Sequence, residues 1–299
     1  MELKVERNRK ILFVVNPGAG STPDNDMGEI INDQFNDDQM VTKIMVMKKK
    51  NNDHLLGEYL DDFAPGTVVA CGGDGTVNFV AGHILGKDIR LGIIPLGSFN
   101  GMAYQVGIPN DIDEAMEIIK GDHVSRADVI RINSEFNCLH LSDLGTNARV
   151  IRRHKSARVK GFSGYVIQYF RELCKTKKFK CRIRTEQTRI SNKVAMIIIA
   201  NAAYYGTGVN VNPQAKLDDG KFEIVLIRSY PFWYLFYVLF ALLRGRSGKK
   251  KWTNIITCKH AEISVEPAQE LQVDGEVAGY ISKISPEIMP QQLYILSRK

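Results

Sequence analysis

Few of the features that would place this chain in a special class are present. It has five cysteines, and Cys71, Cys138, Cys174, Cys181 and Cys258 are scattered without the paired spacing of a zinc site or disulfide framework. They read as ordinary buried thiols of a reducing compartment. No low-complexity tract, internal repeat or heptad occurs, so nothing in the pattern specifies an oligomeric state. The N-terminal MELKVERNRKILFVV offers only a short apolar run, Ile11 to Val15, with no small-residue cleavage site behind it, and it reads as no secretory signal. The most apolar stretch, residues 231–243, is thirteen residues long, short of the ~20 that a helical membrane span needs. With 44% hydrophobic and 24% charged residues, the composition disfavours disordered, collagen-like and membrane-spanning classes. The expected setting is cytoplasmic.

What is present begins with length. Single hydrophobic cores stop growing at roughly 250–300 residues, so 299 residues imply two domains. The charge is also divided. Of the net +7, more than all comes from Arg149 to Lys193, where fifteen Lys or Arg face only Glu172 and Glu186. Inside that segment GFSGYVIQYFREL spaces Phe162, Tyr165, Val166, Tyr169, Phe170 and Leu173 as on one helix face, between two basic flanks. The pattern fits a core helix with solvated shoulders or a surface for anionic lipid headgroups. Nucleic acid is not expected as a partner, because the aromatics do not interleave with the charges as stacking platforms would. Residues 231–251 read first as a buried helix and otherwise as an interfacial segment with a basic end.

The first third alternates strand and helix signals. KILFVVN runs into NPGAGS, GTVVAC into GGDGT, and IRLGIIP into LGSFNG. Val77, Val80, Ala81, Ile84 and Leu85 follow at helical spacing. Apolar strands alternating with helices predict a parallel sheet covered on both faces, with ligands beyond the carboxyl ends of its strands. PNDIDEAMEIIKG predicts a closing helix with Asp111 as N-cap and Gly121 as its stop. From about residue 125 strand-like runs dominate: ADVIRI, NCLHLSD, KCRIRT, VAMIIIAN, KFEIVLI, AEISVE and ELQVDGEV. The expected domains are therefore 1–124, an α/β nucleotide-binding domain, and 125–299, mostly β, with the last strand or tail a candidate to return to the first.

ACGGDGTVN places glycines around a carboxylate at a strand-to-helix turn. Glycine tolerates positive φ and has no Cβ to hold a ligand off, so the turn's amides suit a phosphate. The dinucleotide fingerprint fails because Pro23 stands where a third glycine belongs, and no G-x-x-x-x-G-K-[ST] occurs. A nucleotide cleft of another kind is implied. VDGEV reads from spacing alone as a type I′ hairpin turn, and LDDGKFEI as a turn before a strand.

The ordered set NPGAG, GGDGTVN, PLGSFN, NAAYYGTGVNVNPQAKLDDGKFEIVLI and LQVDGE resembles the diacylglycerol kinase catalytic-domain family, in particular its bacterial soluble lipid kinases, relatives of sphingosine and ceramide kinases. That resemblance implies a nucleotide domain of NAD-kinase and phosphofructokinase type and a C-terminal β-sandwich holding the lipid. It implies an ATP site lined by Asn16, Pro17, Gly18, Ala19 and Gly20, by Gly72, Gly73, Asp74, Gly75, Thr76, Val77 and Asn78, and by Ser98. It further implies Mg²⁺ held by Asp219 with the backbone carbonyls of Lys216 and Lys221, a general base at Asp274, and Glu276 close enough to assist. The expected partners are a lipid substrate and an anionic membrane surface met peripherally. Three positions depart from the family pattern: Gly101 follows Asn100 where an aspartate is usual, Tyr104 stands where an arginine is usual, and Met47 stands near the place of a threonine. A soluble-substrate kinase such as NAD kinase, or a weakly active lipid-binding homologue, are the alternative readings.

Overall fold

The computed structural model describes residues 10–19, 24–35, 40–98, 100–145, 148–149, 177–202, 215–228 and 253–298. Gly20, the predicted 162–173 helix, residues 203–214 of the long NAAYYGTG motif and the 231–251 segment lie outside them, as does most of the basic 149–193 region. The chain divides into two compact units, Met1–Ala127 with Gln291–Lys299, and Asp128–Pro290.

In the first unit the apolar runs become β1 Lys10–Val15, β2 Val41–Val46, β3 Thr67–Gly72 and β4 Arg90–Pro95. Between and after them lie α1 Asp24–Gln34, α2 Asn52–Phe63, α3 Asp74–Ile84, α4 Gly101–Gln105 and α5 Ile112–Lys120. The strands pair in parallel in the order β2-β1-β3-β4. Beside β4 runs β15 (Pro286–Leu296), also parallel, then β5 (Val124–Ile132). Side chains of β3 are buried at every position, because both faces are covered. On one face Ile11, Phe13, Val69 and Cys71 pack with Met27 and Ile31 of α1 and with Met116 and Ile119 of α5. Leu12, Val14, Val68 and Ala70 on the other face are fully enclosed, and α3 packs on β3 and β4. Each such Val, Leu, Ile, Met or Phe contributes about 1.5–3 kcal/mol on burial.

Local chemistry sets the helix ends as the sequence predicts. The Asp111 carboxylate accepts from Glu114 N at 3.0 Å at the start of α5, and Gly121 N donates to Glu117 O and Ile118 O at its end.

The second unit is mostly β. Its strands are β6 Phe136–Cys138, β7 Leu141–Gly145, β8 Phe179–Thr185, β9 Arg189–Val194, β10 Met196–Ala200, β11 Phe222–Ile227, β12 Thr253–Cys258, β13 Ala261–Val273 and β14 Glu276–Ile284. An antiparallel sheet runs β12-β11-β10-β7-β13-β8-β9, with β14 paired to β13. Alternate residues fill one core, where Phe179, Cys181 and Ile183 of β8 meet Ile197 and Ile199 of β10 and Phe222, Ile224 and Leu226 of β11; Met196 and Ile198 of β10 with Val225 and Ile227 of β11 form a second cluster. The opposite positions of β8, Lys180, Arg182 and Arg184, face solvent.

Candidate functional site

Three parallel strands lying side by side put their carboxyl ends on one edge, so the three glycine loops meet. They are bonded to one another. Asn16 Nδ2 donates to Thr76 Oγ1 at 2.9 Å, joining the first loop to the second. Asp74 accepts from Met102 N at 3.3 Å, joining the second to the third. Gly73 and Gly97 touch through bare backbone: a Cβ on Gly97 would lie 2.5 Å from Gly73 Cα, and one on Gly72 would lie 2.3 Å from Thr76 Oγ1. None of Gly72, Gly73 and Gly75 has a positive φ. Of the two reasons for glycine here, close approach is the operative one, and the left-handed conformation is not used.

Gly75 has a different role, since a Cβ there would meet nothing within 4 Å. It opens space over the first turn of α3, whose N-cap Gly73 supplies no side-chain acceptor. Amides of that turn and the positive end of the helix dipole suit an anion. Asn16, Asp74 and Asn78 are half-buried around it, Pro17, Gly18 and Ser98 are exposed, Ala19 is half-buried, and Thr76 and Val77 are buried. Asn100, which sequence reasoning did not assign to the site, holds the third loop. At φ 50° it sits in the left-handed region, accepting from Gly97 N and donating to Gly97 O, both at 2.9 Å.

In the second unit, VDGEV is a hairpin turn. Asp274 (φ 46°) and Gly275 (φ 86°) are the two positive-φ residues between β13 and β14, the type I′ signature, and Val273 pairs with Glu276. The turn carries a held carboxylate as well. Leu139, His140 and Leu141 donate three successive amides to Asp274 at 2.6, 2.9 and 2.8 Å, and the Cys138 thiol lies 3.6 Å away. Burial pushes the Asp274 carboxyl up to about 6, against the opposing pull of those donors. A carboxyl near neutrality is matched to proton abstraction at physiological pH. Behind the turn, Gly275 N donates to Gln272 Oε1 at 2.7 Å, and Gln272 Nε2 donates to the buried Asp143 carboxylate. Glu276 is exposed at the start of β14.

The KLDDGK turn is tied to the same place through two residues that sequence reasoning missed. Asp128 accepts from Gly220 N at 2.7 Å and donates its own amide to Leu217 O. Asn201 donates through Nδ2 to Asp128 O and Leu139 O at 2.7 and 2.9 Å, and Leu139 in turn holds Asp274. The signals available were a lone acid inside the apolar ADVIRI strand and the asparagine that ends VAMIIIAN. Asp219 is exposed, its Oδ1 accepting from Lys221 N at 3.0 Å. Carboxylate and carbonyl oxygens are the right donor chemistry for a hard cation, although no group of three His, Cys, Asp or Glu gathers among the described residues. Cys71, Cys138, Cys181 and Cys258 are buried and unpaired, with thiols raised by burial, which disfavours thiolate chemistry.

Residues 10–132 match the diacylglycerol kinase catalytic domain and residues 142–297 the YegS C-terminal NAD kinase beta sandwich-like domain. The chain belongs to the diacylglycerol kinase family of lipid kinases. Among that family's members, the diacylglycerol kinase of Staphylococcus saprophyticus is 28% identical over 216 residues, covering 71% of this chain and 70% of the relative. That of Staphylococcus haemolyticus is 28% identical over 217 residues, covering 71% and 65%. A crystal structure of a diacylglycerol kinase from Bacillus anthracis superposes with a TM-score of 0.74 over 97% of both chains at 19% identity, a likeness of fold. Kinase membership implies ATP use. The Gly101 departure from the family pattern falls beside Met102, whose amide is the donor to Asp74. No helix among the described residues is long and apolar enough to cross a membrane.

Proposed function

We propose that this protein transfers the γ-phosphoryl of MgATP to the hydroxyl of a membrane lipid of the diacylglycerol or sphingoid type. The first unit's glycine loops bind the nucleotide phosphates, with Asn16 to Gly20, Gly72 to Asn78 and Ser98 around them. Asp274 removes the acceptor proton as its oxygen attacks phosphorus, with Glu276 beside it. The observation that carries this reading is the Asp274 carboxyl, held by three successive amides and raised to about 6. A type I′ turn used only for geometry would need no such cradle.

Phosphoryl transfer depends on positioning and on neutralising charge. Mg²⁺ fits the oxygen donors of the KLDDGK turn, where Asp219 and the carbonyls of Lys216 and Lys221 would hold it, and it would supply positive charge there. The chain's own contribution is rigidity: Asn201 and Asp128 bind that turn to the Asp274 cradle. Because the acceptor resides in a bilayer, association with an anionic membrane surface belongs to the proposal.

Incubation with γ-labelled ATP, Mg²⁺ and a bacterial lipid extract tests it. Label is expected in the organic phase and is expected to vanish with Asp274→Asn. Label confined to a soluble acceptor would defeat the lipid assignment, and turnover unchanged by Asp274→Asn would return the turn to a purely structural role.

A further inference from the structure

The outer face of β9, β8, β13 and β14 carries an open groove of about 750 Å³ whose lining includes Arg182, Arg184, Arg189, Ser264 and Lys283. Cross-strand register places six cations on that face: Arg189 and Lys193 on β9, Lys180, Arg182 and Arg184 on β8, and Lys283 on β14. All six are exposed. Only Glu262 and Glu266 oppose them from β13, and among the described residues Arg184 alone of the six reaches a carboxylate, Glu262 at 3.9 Å.

The register leaves this face with six cations against two carboxylates. Arg184 lies between Arg189 on one side and Glu262 on the other, and Lys180 between Lys193 and Glu266; like charges placed directly opposite destabilise a sheet, and each of these two pairs has a single carboxylate beside it. Protecting an edge strand calls for charge of any sign and does not require matched cations on the neighbouring strand. Between those two pairs, Arg182 has the short side chains Ser191 and Ser264 as neighbours, and Lys283 lies across from Ser264. The cations thus stand around two short polar side chains, in a groove that Glu262 also lines.

We infer that this sheet face docks the protein on an anionic phospholipid bilayer through headgroup phosphates. Cations spread over three strands of one sheet face suit the two-dimensional charge of a membrane, to which each near-surface Lys or Arg is attracted. The exposed positions of β8 and β9 include no aromatic platform on which bases would stack. Ser264 lies ten residues along β13 from Asp274, about 30 Å at the strand rise, so the face anchors the protein and takes no part in the chemistry. The assignment deepens the membrane element of the proposed function, and binding is measured without nucleotide so that it stands or falls apart from phosphoryl transfer.

The test is co-sedimentation of the full chain with vesicles of phosphatidylcholine alone and of equimolar phosphatidylcholine and phosphatidylglycerol, at low and high salt. Binding is expected only to the anionic vesicles and is expected to weaken with salt. Arg182→Glu and Lys283→Glu should each weaken it about fivefold or more, whereas Lys87→Glu, an equal charge change in the first unit, should leave it within about twofold. The neutral Arg182→Gln, with unfolding temperature checked, repeats the measurement should a reversal disturb folding. Equal losses for Lys87→Glu and Arg182→Glu would reduce the effect to net charge and overturn the assignment. So would equal binding to both vesicle types, or displacement from vesicles by duplex DNA or inorganic phosphate at lower concentration than by soluble headgroup.

Discussion

The two units build their sites by opposite means. In the first, three loops that each follow a strand are brought together by parallel pairing, and the contacts between them are glycine backbones. In the second, residues 128, 138–141, 201, 217–220 and 274 come from separate strands and turns and are joined by hydrogen bonds through buried side chains. One site is formed where side chains are missing; the other depends on the presence of a few. Variants should therefore fail differently, the first by steric intrusion and the second by an orphaned polar group.

Asp274→Asn should show the largest effect. Loss of a positioned general base is expected to cost about 10²–10⁴ in transfer rate while MgATP affinity, measured by calorimetry, changes little; a parallel loss of nucleotide binding would merge the two sites into one functional unit. Next come paired glycine substitutions. Gly97→Ala drives a methyl against Gly73 Cα and Asn100 Oδ1 and should destabilise by roughly 1–3 kcal/mol, read by thermal unfolding. Gly75→Ala meets nothing and lies in a helix, so stability should rise by about 0.5–1 kcal/mol while nucleotide affinity falls. If Gly75→Ala left affinity intact, the open space over α3 would not be the phosphate position.

Asn201→Ala should cost about 1–3 kcal/mol by leaving Asp128 O and Leu139 O without their donor. It should also lower kcat more than KM, since Leu139 holds Asp274; an unchanged kcat would separate the KLDDGK turn from the cradle. The mildest effect is that of pH. With the Asp274 carboxyl raised from 3.8 to about 6 in the folded state, its stabilising contribution is complete below about pH 4 and is lost as pH rises through about 6. Activity runs the other way, because the base must be ionised. The acid limb of the pH–rate profile should have its midpoint near 6, and a midpoint near 4 would mean that burial does not govern this carboxyl.

Legibility followed the same division. The strand-to-helix rhythm, the α5 caps at Asp111 and Gly121, the mostly β texture after residue 125 and the glycine loops were all readable, because each rests on neighbours within a few residues. VDGE was readable as a turn and, by family resemblance, as the place of a base; the structure shows the turn and, at positive φ, an Asp274 carboxylate held by the 139–141 amides. Asp128, Asn201 and Gln272 were not readable. The contacts that tie them to distant strands span 62 or more residues of chain, and no local spacing encodes such a meeting. Gly73 was read for the ligand it would admit, and only packing revealed that it bears on Gly97.

What the sequence by itself determined is therefore the alternation of apolar runs and breaks that makes a parallel sheet in the first unit and an antiparallel one in the second, together with the residue types that phosphate binding and proton transfer need. Tertiary structure decided which of those residues meet, what holds Asp274, and why burial pushes its carboxyl up. The physical reason is range. Periodicity and capping act over one or two turns of chain, whereas desolvation and a carboxylate's hydrogen-bond partners are properties of the space around it, filled by segments far away in sequence.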